Sequence, residues 1–405
     1  MAVKLYQMTN RLRYFRIKIT NTYDLIKPCL FLYKTCGIFP YVKNNNNIVL
    51  CNIGFCFSLF IAIICTIYLL IAMYQSIISK EIEFDTVEGL LQYNCYFVLG
   101  TFITVNTCVS YKKRFFILRQ IIEVSVILSA KELQYIACVI YTIIIIGYIF
   151  LLAQFPHTYS EDLVLFISKM YTMYITIVVF LMDMQYMSYV MILKICFQNI
   201  NKNILKLKMI KNQKSIHKAK SINFSRSEIN LQLVKLQKLQ QRHHNVSVIV
   251  QQLNKVFTFH VIATVLMTFI EVTFGLYFFI LHSQGRKGID LEKQIWYNYF
   301  ITSVTYYSLK IVIIVWVCQK AKNEASKTGI IVHEVILNVD NDEFVTELNL
   351  FSLQLLQCKN EFTSKCITVD AKLLTAIVSG IATYLLILIQ FLKSKKNLSA
   401  GNNIQ

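Results

Sequence analysis

Seven stretches of the chain are apolar on every side for long enough to cross a bilayer, which takes about 20 residues as a helix. They lie near residues 48–75, 87–109, 134–153, 162–195, 256–281, 294–318 and 372–392. Lipid offers the backbone no hydrogen-bond partners, so each stretch is expected to be a helix whose bonds close within the segment. The fourth is longer than a bilayer needs and is expected to continue into water on one side. The pattern therefore predicts an all-α membrane protein with seven transmembrane helices. No internal repeat is visible, and the spans read as one membrane domain. Nothing in the first twenty residues reads as a cleavable signal, because Arg11, Arg13 and Arg16 interrupt them and no apolar core follows.

Between the spans the polar segments alternate short and long. Segment 1–47 precedes the first span, spans one to four occupy 48–195, and 196–255 is a basic loop with a helix. Spans five and six follow at 256–318, segment 319–371 is polar with helical apolar spacing, and the seventh span with a short tail closes the chain at 372–405. Within 196–255, Asn212 to Ser227 is basic and rich in Asn and Ser and is expected to be mobile. From Glu228, apolar groups at Ile229, Leu233, Leu236, Val246, Val250 and Leu253 predict a helix running into the fifth span. Within 319–371, an acidic cluster (Asp340, Asn341, Asp342, Glu343) precedes Leu348, Phe351, Leu355 and Phe362, which mark one helical face. Such a face needs a partner, and the extended ends of spans four and five are the expected one.

Charge fixes the expected orientation. The chain carries +19, which alone would suit a nucleic-acid binder. With the N-terminus inside, however, 30 Lys and Arg fall in the inner segments and 7 in the outer ones. That asymmetry is the positive-inside rule, so the N-terminus is expected in the cytoplasm, the C-terminus outside, and the long helical extensions in the cytoplasm. No nucleic-acid partner is implied. With 56% apolar residues and a mean hydropathy of +0.51, the bilayer itself is the expected partner. The twelve cysteines avoid the outer loops, and none has metal-ligand spacing with histidine. They are read as packing residues, with no disulfide framework, metal or cofactor expected. His243 and His244 fall in the basic loop without a ligand pattern.

Polar side chains inside the spans are the candidate functional residues. At about 100° per residue, Ser379, Thr383 and Gln390 fall within about 80° of Thr375 on the seventh span, while Tyr384 falls about 180° away. Such a stripe is either helix–helix glue or the wall of an aqueous path. Ala376 and Gly380 would allow close helix approach. On the sixth span, Trp296, Tyr299, Ser303, Tyr306 and Lys310 share a face at spacings of 3 and 4. Trp296 reads as an interfacial anchor. Tyr299, Ser303 and Tyr306 are either bundle contacts or the lining of an outward-opening ligand pocket. A charge in mid-bilayer costs at least about 2.5–3.5 kcal/mol, so each should be paired or face water. Asp183 and Lys310, at similar depth, are expected to form a structural ion pair. Glu271 lacks an obvious cationic neighbour and joins the ligand-pocket candidates, with Gln92 and Asn94 beside it. Lys169 is near enough to the surface to snorkel.

The seventh span also ends on a motif. Thr383 and Tyr384, five aliphatic residues from Leu385 to Ile389, then Gln390 and Phe391 match the T-Y-h-h-h-h-h-Q-F signature, with h hydrophobic. The chain thereby resembles the insect gustatory receptor family. That resemblance implies a tastant-gated, non-selective cation channel of chemosensory neurons, multi-pass in the plasma membrane. It also implies four subunits, identical or mixed, meeting through inner anchor helices in 319–371, with the last helix of each lining the central pore. Thr375, Ser379, Thr383 and Gln390 would then line the pore, with Gln390 in its outer part, while Tyr384 and Phe391 would pack. Tastants would bind in the outer half of each subunit. Relatives that detect many sugars carry Glu directly after the Thr-Tyr of the motif, where this chain has Leu385. A general sugar reading is thereby weakened, while fructose and bitter compounds stay open.

Other classes fit less well. An insect odorant-receptor-like channel subunit shares the expected architecture, and the intact closing motif favours the gustatory branch. A G-protein-coupled receptor would have the opposite orientation. The three prolines, Pro28, Pro40 and Pro156, all lie outside the spans, so the N-P-x-x-Y pattern is missing, as is D-R-Y after span three. A transporter would show repeats or broken helices, and an enzyme a cluster with nucleophile, base or metal spacing; neither pattern is present, and the chain is read as a non-enzyme.

Overall fold

Each of the seven apolar stretches coincides with a helix, apart from the start of the first, and most of those helices run on beyond the apolar part. The computed structural model describes residues 21–39, 41–44, 47–79, 87–154, 163–215, 222–284, 291–339, 341–365 and 367–402. Helix α1 (Thr22–Thr35) leads to a hairpin of β1 (Tyr41–Asn44) and β2 (Asn47–Leu50). Then come α2 (Asn52–Met73, extended by a π-helical turn to Ile78), α3 (Val87–Val109), α4 (Tyr111–Ser125) and α5 (Ala130–Gln154). Three long helices follow: α6 (Leu163–Ser215), α7 (Ile222–Gln284) and α8 (Leu291–Ile336). The chain closes with α9 (Asp342–Gln357), a two-residue hairpin of β3 (Thr363–Ser364) and β4 (Ile367–Thr368), and α10 (Ala371–Asn402).

Among the described residues six helices, α2, α5, α6, α7, α8 and α10, are long and apolar enough to cross a membrane. The stretch at 87–109 is a 23-residue helix too, but Gln92, Asn94, Asn106 and a run of threonines dilute its hydropathy. The first span starts at Asn52 rather than 48, because Asn47–Leu50 pairs with Tyr41–Asn44 as a strand. In the sequence, a run of four asparagines from 44 to 47 next to β-branched Val42, Ile48 and Val49 favours that pairing. The expected mobile middle of 196–255 falls largely on residues outside the described structure or its described side chains.

Helix α6 is the axis of the bundle. It packs against α3, α5, α7 and α8, and 94% of its most apolar window is buried, against 22% for α2 and 6% for α10. The bare faces of α2 carry Phe57, Phe60, Ile64 and Leu70, surface that only lipid or another apolar partner would cover. Two glycines let neighbours close on α6. A Cβ at Gly100 of α3 would run into the Ile175 side chain, and one at Gly147 of α5 into the Phe180 ring. Both partners are buried in the core. Gly147→Ala is therefore expected to destabilise the protein by about 1–3 kcal/mol, read as a lower melting temperature of the detergent-purified protein. An unchanged melting temperature would mean that α5 and α6 are not held at this distance.

The other end of the bundle is tied by polar contacts. Tyr141 Oη donates to the Leu25 carbonyl at 2.8 Å, Tyr174 Oη donates to the Cys36 carbonyl at 3.1 Å, and Thr22 meets Ser125 at 2.6 Å. Helix α1 is thus docked on α4, α5 and α6. Burial pushes the Cys29 thiol on its inner face up to about 12, so it behaves as a packing group. Arg114 of α4 is completely buried. Its guanidinium donates to Ser110 Oγ at 2.9 Å and to Gln185 Oε1 at 3.3 Å, and lies 4.5 Å from the Phe257 ring centroid. Desolvation lowers its pKa to about 10, so it remains charged at neutral pH.

Helix α9 begins at an Asn341 cap, whose side chain accepts from the Phe344 N–H at 2.9 Å. Asp342 and Glu343 stand in the first turn, where carboxylates suit the helix dipole. Leu348 and Phe351 are fully buried, but against α7 and α8, the extensions of spans five and six rather than of four and five. Phe362 is buried as well, yet it lies past the helix end at Gln357, carried back to the bundle by the short hairpin. His243 is part of α7, not of a loop; it is buried between the Phe197 and Phe351 rings at 5.4 and 5.7 Å.

Candidate functional site: a cavity between five helices

A cavity of about 410 Å³ lies among the first turns of α3, α6 and α8 and the last turns of α5 and α7. Its walls come from α3, α5, α6, α7 and α8, so no single stretch of sequence builds it. Gln92, Glu271, Tyr299 and Ser303 all line it. Gln92 Nε2 donates to Glu271 Oε2 at 2.9 Å, and Glu271 is 8% exposed. Aromatic rings form much of the remaining wall: Tyr93, Tyr96 and Phe97 on α3, Phe278 on α7, and Phe300 and Tyr307 on α8. Tyr93 shares a 2.7 Å hydrogen bond with Ser168, and Tyr96 bonds Thr176, which fixes those rings against α6.

Two of the expected pocket residues stand elsewhere. Asn94 donates to the Leu90 carbonyl at 2.8 Å and accepts from Ser76 Oγ at 3.1 Å, so it serves the α2–α3 contact. Tyr306 is buried behind the cavity wall, edge-on to Tyr307 at 5.1 Å. Lys169 lines the cavity. The Trp296 side chain is outside those described.

Below the cavity lies a buried charge cluster. Asp183 of α6 and Lys310 of α8 stand 3.1 Å apart, with side chains 1–2% exposed. His260 of α7 approaches Asp183 Oδ1 at 2.9 Å, and Thr264 donates to the same oxygen at 2.9 Å. The Lys310 ammonium also lies 5.0 Å from the Tyr307 ring and 5.6 Å from that of Tyr306. One carboxylate therefore joins three helices directly under the cavity floor.

Helix α10 is attached through one face. Leu373 and Ile377 are buried against α7 and α8, Tyr384 stacks edge-on with Phe269 at 5.6 Å, and Phe269 lies where a Cβ on Gly380 would be tight. Thr375, Ser379, Thr383 and Gln390 are exposed on the opposite face. Thr375 and Thr383 donate to their own helix, to the Lys372 and Ser379 carbonyls at 2.8 and 2.9 Å. Phe391 is 70% exposed in the single chain.

The sequence matches the 7tm chemosensory receptor family over residues 26–394. The chain belongs to that family. Among curated proteins, the receptor is 26% identical to gustatory receptor 28b of Drosophila melanogaster over 170 residues, 41% of this chain and 36% of the fly protein. It is 30% identical to the fly gustatory receptor for bitter taste 66a over 161 residues, 39% of this chain and 30% of that one. It thus spans about a third of the length of the curated relatives it matches. Its fold is similar to the insect olfactory receptor OR5 of Machilis hrabei, solved with eugenol, at a TM-score of 0.66 and 12% identity. That superposition covers 90% of this chain and 97% of the olfactory receptor. The receptor is a multi-pass membrane protein of a chemosensory family, and that family is not one of enzymes.

Several residues of the receptor's cavity and of the charge cluster beside it carry no distinctive local signal in the sequence. Tyr93, Tyr96 and Phe97 repeat at helical spacing, which reads equally well as ordinary core. Gln154 is the last residue of α5; only the fold brings it into the cavity wall. His260 is a lone histidine in an apolar span, and nothing local says that Asp183 lies opposite.

Proposed function

We propose that the receptor is a gustatory receptor, a tastant-gated non-selective cation channel in the plasma membrane of insect chemosensory neurons. A small molecule bound in the cavity opens it, and the α10 helices of four subunits line the path. The observation that carries this reading is the cavity itself, large enough for a small organic molecule, walled by aromatic rings and holding a few fixed polar groups. Similarity in fold to an olfactory receptor solved with eugenol supports a ligand-binding role. The bare polar face of α10 supports a role against water or neighbouring subunits. The expected topology, with the N-terminus inside, puts the cavity on the outer side, where tastants arrive.

Calcium influx in cells expressing the receptor, alone and with other gustatory receptors, tests this against a panel of sugars and bitter compounds. A response in cells with this chain alone makes the assembly a homotetramer; a response only in mixed cells makes it a heterotetramer. Ser303→Trp fills the cavity from α8 and should abolish the response while surface labelling stays at the wild-type level. A full response from Ser303→Trp would remove the cavity from the mechanism.

A further inference from the structure

The polar groups of the cavity select for one class of ligand. We infer that the cavity takes an organic ammonium ion, with Glu271 as its counter-charge, the aromatic walls around its positive end, and Gln154 donating to an acceptor elsewhere on the molecule. This deepens the reading of the cavity as the ligand site and rests on it.

Glu271 is the single carboxylate among the described lining residues. A buried carboxylate is costly unless a cation or several donors compensate it. Gln92 supplies one donor. Of the two lysines near it, Lys310 lies under the floor and is committed to Asp183 at 3.1 Å. Lys169 belongs to the second turn of α6, close to the α5–α6 connection, and is partly exposed. As a lining residue it would turn a cationic end away from itself and toward Glu271. A bound ammonium would supply the charge that Glu271 lacks.

The walls fit the same ion. Tyr93, Tyr96, Tyr299, Phe300 and Tyr307 bring rings from two helices into the cavity that holds the carboxylate, and ring faces attract ammonium groups most strongly where water is excluded. Sugars would instead ask for several donors and acceptors distributed around a ring. Gln154 adds the remaining feature. It is 5% exposed, lines the cavity, and its side-chain nitrogen has no hydrogen-bond partner among the described residues. An amide N–H left unpaired is an unmade bond that a carbonyl, ether or hydroxyl oxygen of a ligand can complete.

The test uses the detergent-purified full-length receptor and needs no conduction. Thermal stability is titrated with benzyltriethylammonium, which is aromatic and permanently charged, and in parallel with fructose. The ammonium should raise the melting temperature of the wild type and fructose should not. Glu271→Gln keeps the shape and should weaken the ammonium effect about tenfold or more. Tyr299→Leu, which leaves the carboxylate in place, should weaken it several-fold and serves if Glu271→Gln does not fold. Stabilisation by fructose and not by the ammonium, or an ammonium effect untouched by both variants, overturns the inference. A receptor that conducts in response to neutral tastants and ignores the ammonium also overturns it, while leaving the channel reading intact. One that binds the ammonium through Glu271 yet never conducts upholds it and sinks the channel reading instead.

Discussion

Asp183→Asn is expected to be among the most damaging single substitutions in the receptor. It leaves the Lys310 ammonium in a dry interior with no carboxylate, beside His260 and not far from the buried Arg114. Removing one partner of a buried pair costs about 3–5 kcal/mol, because the other charge stays behind. Asp183 also accepts from Thr264 and so joins α6, α7 and α8 at one point. Its loss should therefore appear as poor surface expression and a lower melting temperature, rather than as a selective change in response. The pair itself is a different matter. Replacing both members by apolar groups of similar size, Asp183→Leu with Lys310→Met, is expected to recover most of the lost stability, since a buried ion pair is often no better than packed hydrophobic residues. A double-mutant cycle separates the two effects. Wild-type expression and melting of Asp183→Asn alone would contradict the assignment of Lys310 as charged and paired.

Gln390→Lys should act on conduction with little effect on folding. Gln390 is exposed on α10, on the face away from Leu373 and Ile377, so the change disturbs no packing within the chain. In a fourfold assembly with α10 at the axis, it adds four positive charges around the path. At about 8 Å in water each costs a passing cation about 0.5 kcal/mol, so four cost about 2 kcal/mol and lower conductance about 30-fold. Salt should reduce the effect. Single-channel recording and native gels read the two consequences separately. Loss of the assembled species, with conductance unchanged in whatever remains, would assign the stripe to contacts between subunits.

How far the sequence reaches is clear from these same residues. Hydrophobic runs and their period locate the membrane helices, because each run obeys a local rule about lipid and backbone. The period also separates the two faces of the last helix, and the buried face through Leu373 and Ile377 lies opposite the polar stripe. Charges in the spans announce that partners must exist. Asp183 and Lys310 could be matched by depth, since each is the one charge in the apolar middle of its span. What the sequence does not carry is which side chains converge from different helices. Gln92 and Glu271 are 179 positions apart, and Gln154 reaches the same cavity from a third helix. Asn94, two residues from Gln92, turns to α2 because 200° of helix separates them. Tyr306 shares a face with Tyr299 and Ser303, but Tyr307, about 100° further round the helix, is the residue that lines the cavity, and Tyr306 packs edge-on behind it. The helical extensions escaped full reading because their apolar positions contact one another rather than lipid, so their stripes are narrow and interrupted.

The most direct test of the proposed channel is cysteine substitution along α10, with a positively charged methanethiosulfonate reagent applied during a tastant response and the unsubstituted receptor as reference. Cysteine at Thr375, Ser379 or Thr383 is expected to let the reagent block current, and faster when tastant is present. Cysteine at Tyr384, on the packing face, is expected to give no more block than the reference. Block at Tyr384 with none along the stripe, or no block anywhere on α10, would contradict a conduction path lined by this helix.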